Sequence, residues 1–244
     1  MRLFHTALVL VAFAGAAIAG PAKSAAPANK NPDNWKGTMK QCSGTGKGKS
    51  CKKIAVFQGH NAGKAAIRTE PLERPSGNIS VRAENLNEEV TVNIYKADGT
   101  FDEASLAKLD DIFRCAKTGE VRAVRPELYE MLSRIYDHFE GKQVQLVSGF
   151  RFAERNGSRH FHASAMDLRV KDVSYRDVYA FAETLDTGHM GLGIYPTGQF
   201  IHFDYRAPGE PSYRWTDYSG HGGGGGKAKK KASPHTQPAR KPVS

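Results

Sequence analysis

Residues 158–167 have the sequence Ser-Arg-His-Phe-His-Ala-Ser-Ala-Met-Asp, and residues 200–204 have the sequence Phe-Ile-His-Phe-Asp. Six residues separate His160 from Asp167, a spacing that differs from the helical HExxH pattern and suits a loop that enters a strand. Two neutral imidazoles and one carboxylate can bind zinc and leave its fourth position open for water. The sequence therefore predicts a zinc site formed by His160, Asp167 and His202.

A zinc ion with an open position is suited to hydrolysis, because it lowers the pKa of its bound water from about 15.7 towards 7 and polarises a substrate carbonyl. Asp204 lies two residues after His202, and residues two apart in a strand point to the same face. Asp204 is therefore our predicted general base. The alternative, that Asp204 orients a ligand histidine, stays open because metal sites usually contain such a partner. His162 is a further candidate for the base.

The residues around this triplet carry a longer pattern. The sequence Ser-Gly-Phe-Arg spans residues 148–151, Asn156 and Ser158 follow, and Gly-Leu-Gly-Ile-Tyr-Pro spans residues 191–196. In these segments the chain resembles the M15-type zinc D-alanyl-D-alanine peptidases, most closely their YcbK-like periplasmic murein endopeptidase branch. The resemblance extends over roughly residues 79–216. It implies an exported zinc peptidase whose substrate is peptidoglycan, cut in its stem peptides or cross-links.

The chain departs from the family pattern at several positions. The family commonly has a longer loop where only Gly157 separates the Asn from the Ser-x-His segment, so one wall of the cleft is expected to be open. Some members have an acidic residue three positions before the last histidine, where this chain has Gln199, and the family usually has Gly at the position of Ala163. These departures keep a second hypothesis open: a non-catalytic cell-wall-binding protein that retains the peptidase fold.

Arg151 is predicted to act as a fixed guanidinium beside the metal. Such a group can stabilise the oxyanion that develops on a peptide carbonyl, or it can pair with a substrate carboxylate. The substrate-binding residues that we predict are Ser148, Arg151, Asn156 and Ser158. The two serines are expected to shape the backbone and bind substrate amides, since no arrangement of acid and histidine around them indicates a serine hydrolase.

The pattern of apolar residues from position 79 onward predicts an α+β domain. Strands are expected at Ile79–Ala83, Val90–Tyr95, Val144–Val147, Ala165–Val170 and Gln199–Tyr205, and helices at Asp102–Cys115, Pro126–Phe139 and from Ser174 onward. Residues 188–193 are expected to form a loop. The predicted fold is a mainly antiparallel sheet that carries the metal site on one face, with helices packed on the other, as in the M15 and hedgehog-like zinc peptidases.

Both ends of the chain differ in composition from this domain. Residues 1–19 contain Arg2, an apolar run and the small-residue end Ala17-Ile18-Ala19, which predicts a secretory signal cleaved after Ala19. Residues 20–78 are basic and Gly-rich and are expected to be largely irregular. The zinc peptidase domain is expected over residues 79–218, followed by a disordered Gly-, Lys- and Pro-rich tail over residues 219–244. We therefore expect a periplasmic or secreted protein with no membrane span.

The sequence contains three cysteines, at positions 42, 51 and 115. In an exported protein, Cys42 and Cys51 on either side of a Gly-rich loop indicate a disulfide as the first interpretation. Cys115 follows a helical segment, where it is either a buried thiol or a partner for one of the other two. The pairing of three cysteines therefore stays open.

The formal net charge is +10 at pH 7, and its distribution bears on the partners. Residues 54–218 contain twenty basic and twenty-four acidic residues, so the positive excess belongs to the two ends of the chain. Nucleic-acid binding is not expected, because it normally needs a basic face with aromatic platforms on the folded domain. We expect the basic ends to bind an anionic envelope polymer, with a merely solubilising role as the alternative, and we expect a monomer.

Overall fold

A computed structural model describes residues 37–152 and 158–219 of the 244-residue chain. Within these residues the elements, in chain order, are β1 Thr38–Ser43, β2 Ser50–Ala55, β3 Phe57–Asn61, β4 Asn78–Ala83, β5 Glu88–Asn93, α1 Glu103–Ile112, α2 Pro126–His138, β6 Val144–Ser148, β7 Ala165–Val170, α3 Tyr175–Glu183, β8 Met190–Tyr195, β9 Phe200–Tyr205 and β10 Tyr213–Asp217.

Eight of these strands form one sheet in the order β3-β10-β8-β9-β7-β6-β4-β5, and β1 pairs only with β2. Five of the seven neighbouring pairs in the large sheet are antiparallel; the β10/β8 and β4/β6 pairs are parallel. The β4/β6 pair can be parallel because β5, α1 and α2 lie between its strands in the chain and provide the crossover that parallel strands require. The predicted α+β fold with a mainly antiparallel sheet is thereby confirmed.

Alternation along the central strands separates the core from the other face of the sheet. On β7, Met166, Leu168 and Val170 belong to the buried core, and on β9 Ile201 and Phe203 do so. The core also contains apolar side chains of all three helices. Burial of each large aliphatic or aromatic side chain contributes about 1.5 to 3 kcal/mol. The intervening residues of the same strands point to the opposite face, which is where the polar side chains of the candidate site lie.

The helices begin at residues whose chemistry favours a start. Asp102 caps α1 by accepting a hydrogen bond from the Ser105 amide at 3.2 Å. Pro126 is the first residue of α2. Proline has no backbone N–H, and at this position an N–H would have no acceptor within the helix, so no hydrogen bond is lost. Ser174 caps α3 through a hydrogen bond from the Arg176 amide. The predicted starts of all three helices agree with these positions.

A buried ion pair fixes the end of α3 against the sheet. The Arg214 guanidinium, on β10, donates to Asp186 at 2.5 Å and to Glu183 at 3.2 Å, and Asp186 is fully buried. Asp186 also accepts hydrogen bonds from the Ser212 hydroxyl and the Gly188 amide. A buried carboxylate with this many donors is compensated for its lost hydration, so β10 is firmly attached to the core.

Two predictions for the C-terminal half of the sheet are wrong. Residues 188–193 were expected to be a loop, but β8 begins at Met190 and lies between β9 and β10. Gln199–Tyr205 was expected to be the last strand, but β10 follows it. Gly191 and Gly193 lower the strand propensity of β8 when it is considered alone, and pairing on both edges stabilises it in the folded protein.

The segment over residues 20–78 is more ordered than its composition indicates. Within its described part, β1 and β2 form a hairpin, and β3 joins the edge of the large sheet by pairing with β10. Short polar strands of this kind carry little hydrophobic periodicity, which is why the sequence pattern did not predict them. The predicted signal segment, the first residues after it and the predicted C-terminal tail from residue 220 lie outside the described residues.

A disulfide joins Cys42 on β1 to Cys51 on β2, and Cys115 is a buried free thiol in the core. The first interpretation of the three cysteines is thus the one that the structure contains. Among the described residues, no helix combines the length and the apolar character that crossing a bilayer requires.

Candidate metal centre

Strand register brings two of the predicted ligands together. Asp167 on β7 lies directly opposite His202 on β9, and both point away from the helical core. His160 lies in the turn immediately before β7 and is 3% exposed. The three side chains are therefore close in space although the first and the last lie 42 positions apart in the chain.

One atom of each side chain points to a common position. The His160 Nε2 atom lies 3.1 Å from His202 Nδ1 and 3.3 Å from Asp167 Oδ1, and His202 Nδ1 lies 2.8 Å from the same carboxylate oxygen. All three residues are buried, and together they form a group that could hold a metal ion. Tetrahedral zinc with bonds of about 2.0 to 2.1 Å needs ligand atoms about 3.3 Å apart. The His160–Asp167 separation matches this value, and the His202–Asp167 separation of 2.8 Å is shorter than it.

The outward nitrogen of each imidazole has its own acceptor. His160 Nδ1 lies 2.7 Å from the Gly149 carbonyl oxygen, which can only accept, so this nitrogen carries the proton and Nε2 presents its lone pair. His202 Nε2 lies 3.0 Å from Asp204 Oδ2, which favours the proton on Nε2 and leaves Nδ1 for the metal. This is the outer arrangement that metal-binding histidines usually have. The outward hydrogen bonds therefore leave one nitrogen of each imidazole facing the common position.

The charges of the protein groups act on one another inside this site. Burial, with the nearby Arg151 charge, lowers the pKa of His160 and so favours its neutral form. Burial alone would raise the pKa of Asp167, but its contacts with the two histidines and the Arg151 charge outweigh burial and keep that pKa well below its usual value. Burial lowers the pKa of His202, but hydrogen bonds to Asp167 and Asp204 outweigh it and raise the pKa to about 9.

Asp204 lies behind His202 and is almost fully buried, at 1% exposure. Its carboxylate contacts the His202 nitrogen that faces away from the common ligand position, and the Arg206 guanidinium lies 3.6 Å from its other oxygen. Gly191 on β8 makes room for it, because a Cβ at that position would lie 2.0 Å from Asp204 Oδ2. This placement favours the orienting role for Asp204 over the role of general base.

Arg151 follows strand β6 and reaches the site from the side. Its Nη2 atom donates to Asp167 Oδ2 at 3.0 Å, opposite the oxygen that faces the two histidines. The Arg151 side chain is 35% exposed, whereas that of Asp167 is only 6% exposed. The guanidinium therefore bridges the buried carboxylate and the open side of the site.

Several contacts that sequence reasoning missed fix the turn that carries His160. The Arg122 guanidinium packs on the rings of Phe150 and Phe161, at 4.7 and 4.8 Å, and donates to the Phe161 carbonyl. It thereby joins the segment after β6 to the His160 turn. Ala163, which closes this turn, has φ of 50°, a left-handed conformation that favours glycine. This explains why glycine is usual there in the family that the sequence resembles.

An aromatic wall, defined here as Tyr195 and Trp215, borders the site on the β8/β10 side. The Trp215 ring lies 5.0 Å from the His202 ring, and its indole N–H donates to the Tyr195 hydroxyl at 3.1 Å. A Cβ on Gly193 would lie 2.2 Å from the Trp215 ring, so this glycine makes room for the indole. Burial and the Asp167 charge raise the pKa of the Tyr195 phenol, which stays neutral.

The sequence analysis did not identify Trp215 as a site residue because it did not predict β10. The alternation of Tyr213, Trp215 and Asp217 was the signal that could have indicated this strand.

The remaining predicted site residues have different positions. Ser148 ends β6 opposite Asp167, beside an irregularity in the β6/β7 register. The Ser158 carbonyl accepts a hydrogen bond from the Phe161 amide and so helps to form the His160 turn. Asn156 lies outside the described residues, and His162 is exposed on the turn.

Gln199 lies three residues before His202, just before the start of β9. Its backbone has φ of 54°, in the turn that precedes β9. Gln199 lines a second cavity, of about 390 Å³, together with Gln145, Arg169 and Ser174.

A protein-family model, Peptidase_M15_2, described as peptidoglycan L,D-endopeptidase MepK, matches residues 77–208. The match covers more than half of the chain and includes every residue of the candidate metal site. Trp215 lies beyond its end.

Curated proteins with similar sequences carry the same description. The chain is 29% identical over 140 residues to a probable peptidoglycan L,D-endopeptidase MepK of Haemophilus influenzae, covering 52% of this chain and 74% of that protein. It is 27% identical over 130 residues to the peptidoglycan L,D-endopeptidase MepK of Escherichia coli K12, covering 48% and 70%. No solved structure matches the chain significantly.

Proposed function

We propose, from the finding that the chain belongs to the Peptidase_M15_2 family, that it is an exported, zinc-dependent endopeptidase acting on peptidoglycan. The observation that carries the proposal is the convergence of His160 Nε2, Asp167 Oδ1 and His202 Nδ1 on one position. The similar proteins are named L,D-endopeptidases, and we propose the same class of bond for this chain, in peptidoglycan stem peptides or their cross-links.

The three convergent residues would bind zinc as its protein ligands. Zinc bound there would supply a water molecule of lowered pKa and would polarise the scissile carbonyl. The Gly149 carbonyl and the Asp204 carboxylate accept hydrogen bonds from the outward nitrogens, so that the inward nitrogen of each imidazole is the one that would bind the metal. We therefore assign Asp204 to the positioning of His202, in place of the general-base role that the sequence pattern first indicated.

Arg151 is the group that we propose to act on the substrate. Its contact with Asp167 Oδ2 fixes the guanidinium, and about a third of the side chain remains exposed on the open side of the site. A fixed positive charge in this position stabilises negative charge developing on a carbonyl oxygen. Removal of one such donor typically slows catalysis by about 10²- to 10³-fold.

We propose that the substrate peptide lies between the His160 turn and the aromatic wall. Trp215 and Tyr195 offer an apolar surface beside His202. On the opposite side, Ser148 and Ser158 would contact substrate amides, with Asn156 in the segment between them. The small side chains of stem peptides need no deep pocket, and a cleft between the His160 turn and the aromatic wall would be sufficient for them.

Export is supported by the disulfide between Cys42 and Cys51, because such bonds persist in oxidising compartments. The secretory signal predicted over residues 1–19 would direct the chain across the membrane. We propose a periplasmic or secreted location on these two grounds.

The proposal is tested by zinc content and by release of muropeptides from purified sacculi. Wild-type mature protein is expected to contain about one zinc per chain and to release products whose masses identify an L,D bond. His160→Ala is expected to lose both properties. His60→Ala is the matched control, since His60 is an exposed histidine on edge strand β3.

Three other outcomes would be informative. Zinc binding without cleavage would favour a wall-binding protein that keeps the fold. Cleavage at a different bond would correct the specificity alone. A wild-type protein without zinc, or a His160→Ala variant as active as His60→Ala, would overturn the proposed site.

A further inference from the structure

A basic hairpin, defined as residues 37–55 with β1 and β2, differs in charge from the rest of the described chain. It contains five lysines and no acidic residue, whereas residues 56–219 contain twenty basic and twenty-four acidic residues. Lys40, Lys49, Lys52 and Lys53 are all exposed. Among the described residues, no ion pair involves any of these four lysines.

The register of the hairpin concentrates this charge. Lys40 lies directly opposite Lys53, and Cys42 lies opposite Cys51 two residues further along the same face. Like charges directly opposite each other in an antiparallel pair are destabilising. The disulfide closes the hairpin beside this lysine pair. The sequence thus keeps a repulsive arrangement on a covalently closed element, which an anionic partner would neutralise.

The hairpin is attached to the sheet that carries the metal site. Only Val56 separates β2 from β3, and Val56 makes backbone hydrogen bonds to Gly37 and Tyr218. On β3, Gly59 lies opposite Trp215 of the aromatic wall. Four residues from Gly59 to Ala55 span at most about 14 Å of extended chain. A polymer that crosses the site is therefore within reach of the hairpin.

We propose that the basic hairpin binds the carboxylates of peptidoglycan stem peptides and so holds the protein on its polymeric substrate. The proposal rests on the proposed function for the identity of the polymer. Peptidoglycan repeats free carboxylates along an extended network, and several lysines that contact several carboxylates gain through multivalency. Since each contact is exposed to solvent, the binding is expected to weaken strongly with salt.

The test compares sedimentation with intact sacculi for two triple variants, both in the His160→Ala background to prevent digestion. The hairpin variant loses three positive charges through Lys40→Gln, Lys52→Gln and Lys53→Gln. The control variant loses the same charge from exposed sites on the domain through Lys108→Gln, Lys117→Gln and Lys142→Gln. We expect the hairpin variant to bind at least about fivefold more weakly at low ionic strength and the control variant to change less than about twofold. The protein with the unchanged hairpin should bind more weakly, by the same factor, to sacculi whose carboxylates have been amidated.

Equal binding by the two variants would overturn the proposal, as would hairpin-dependent binding that survives amidation. A hairpin effect seen with vesicles of anionic phospholipid and absent with sacculi would also overturn it, and would identify a lipid surface as the partner. Cleavage of soluble muropeptides, measured with His160 intact, should be unchanged by the hairpin substitutions. If even the wild-type protein fails to cleave them, the proposed function fails, while the sedimentation comparison still decides whether the hairpin binds sacculi.

Discussion

Each nitrogen of His202 lies within hydrogen-bonding distance of a different carboxylate. Asp167 faces the Nδ1 side at 2.8 Å, and Asp204 faces the Nε2 side at 3.0 Å. The two acids look alike in the sequence but differ in position: one shares the ligand cluster, and the other supports it from behind. The motif alone does not distinguish these roles, because both residues point to the same face of paired strands.

Substitution of Asp204 separates positioning from catalysis. Asp204→Ala removes the acceptor of the His202 Nε2 proton and is expected to weaken zinc binding by about 10- to 100-fold. Asp204→Asn keeps an oxygen that accepts this hydrogen bond, so it should recover most of the zinc affinity and much of the activity. Competitive zinc titration and kcat/KM measured at saturating zinc provide the comparison. If both variants bind zinc as the wild type does and neither cleaves, Asp204 is the general base after all.

At the scale of elements, glycines in β8 make the site possible. Gly191 and Gly193 lie on the site face of the strand, beside Asp204 and Trp215 respectively. Any side chain at these positions would occupy the space of a residue that the site uses. The Gly-x-Gly segment could be recognised in the sequence, but its purpose depends on neighbours from β9 and β10, which are adjacent only in the folded sheet.

Gly191→Ala is expected to disturb the site from this neighbouring strand. The added Cβ would lie 2.0 Å from Asp204 Oδ2, so the carboxylate must move away from His202. We expect a loss of about 1 to 3 kcal/mol in the free energy of unfolding, together with weaker zinc binding. Denaturant unfolding and zinc titration measure the two effects. Gly63→Ala is the control, since φ is −67° there and nothing lies within 4 Å of the new atom; equal behaviour of the two variants would contradict this explanation.

At the scale of the whole molecule, the candidate site is expected to couple folding to the binding of protons and of zinc. Three buried ionisable groups from one turn and two strands meet in it. In the zinc-free protein, the raised pKa of His202 means that the folded state binds a proton more tightly than the unfolded chain does. That contribution to stability is complete below the ordinary histidine pKa of 6.5 and is lost as the pH rises through about 9.

The melting temperature of the zinc-free protein should therefore fall between pH 6.5 and 9, by an amount equivalent to at most about 3 kcal/mol. Zinc should reverse this trend, because it binds the deprotonated imidazole and stabilises the folded state more as the pH rises. Thermal unfolding with and without zinc at several pH values measures both slopes. His202→Gln should abolish the fall; a zinc-free wild type whose melting temperature stays constant over this range would contradict the linkage.

The sequence alone determined the fold class and the three helices, and it predicted His160, Asp167 and His202 as one group, because these depend on local periodicity, capping residues and a motif of fixed spacing. Tertiary structure decided the rest. β8 and β10 are strands because of pairing partners distant in the chain, and Asp204 supports His202 because the geometry of their strand places it behind the imidazole. Likewise, Trp215 borders the site because the sheet carries β10 beside β8, which pairs with β9. Local propensity is a property of neighbouring residues, whereas the shape of a site is set by contacts between residues that only folding brings together.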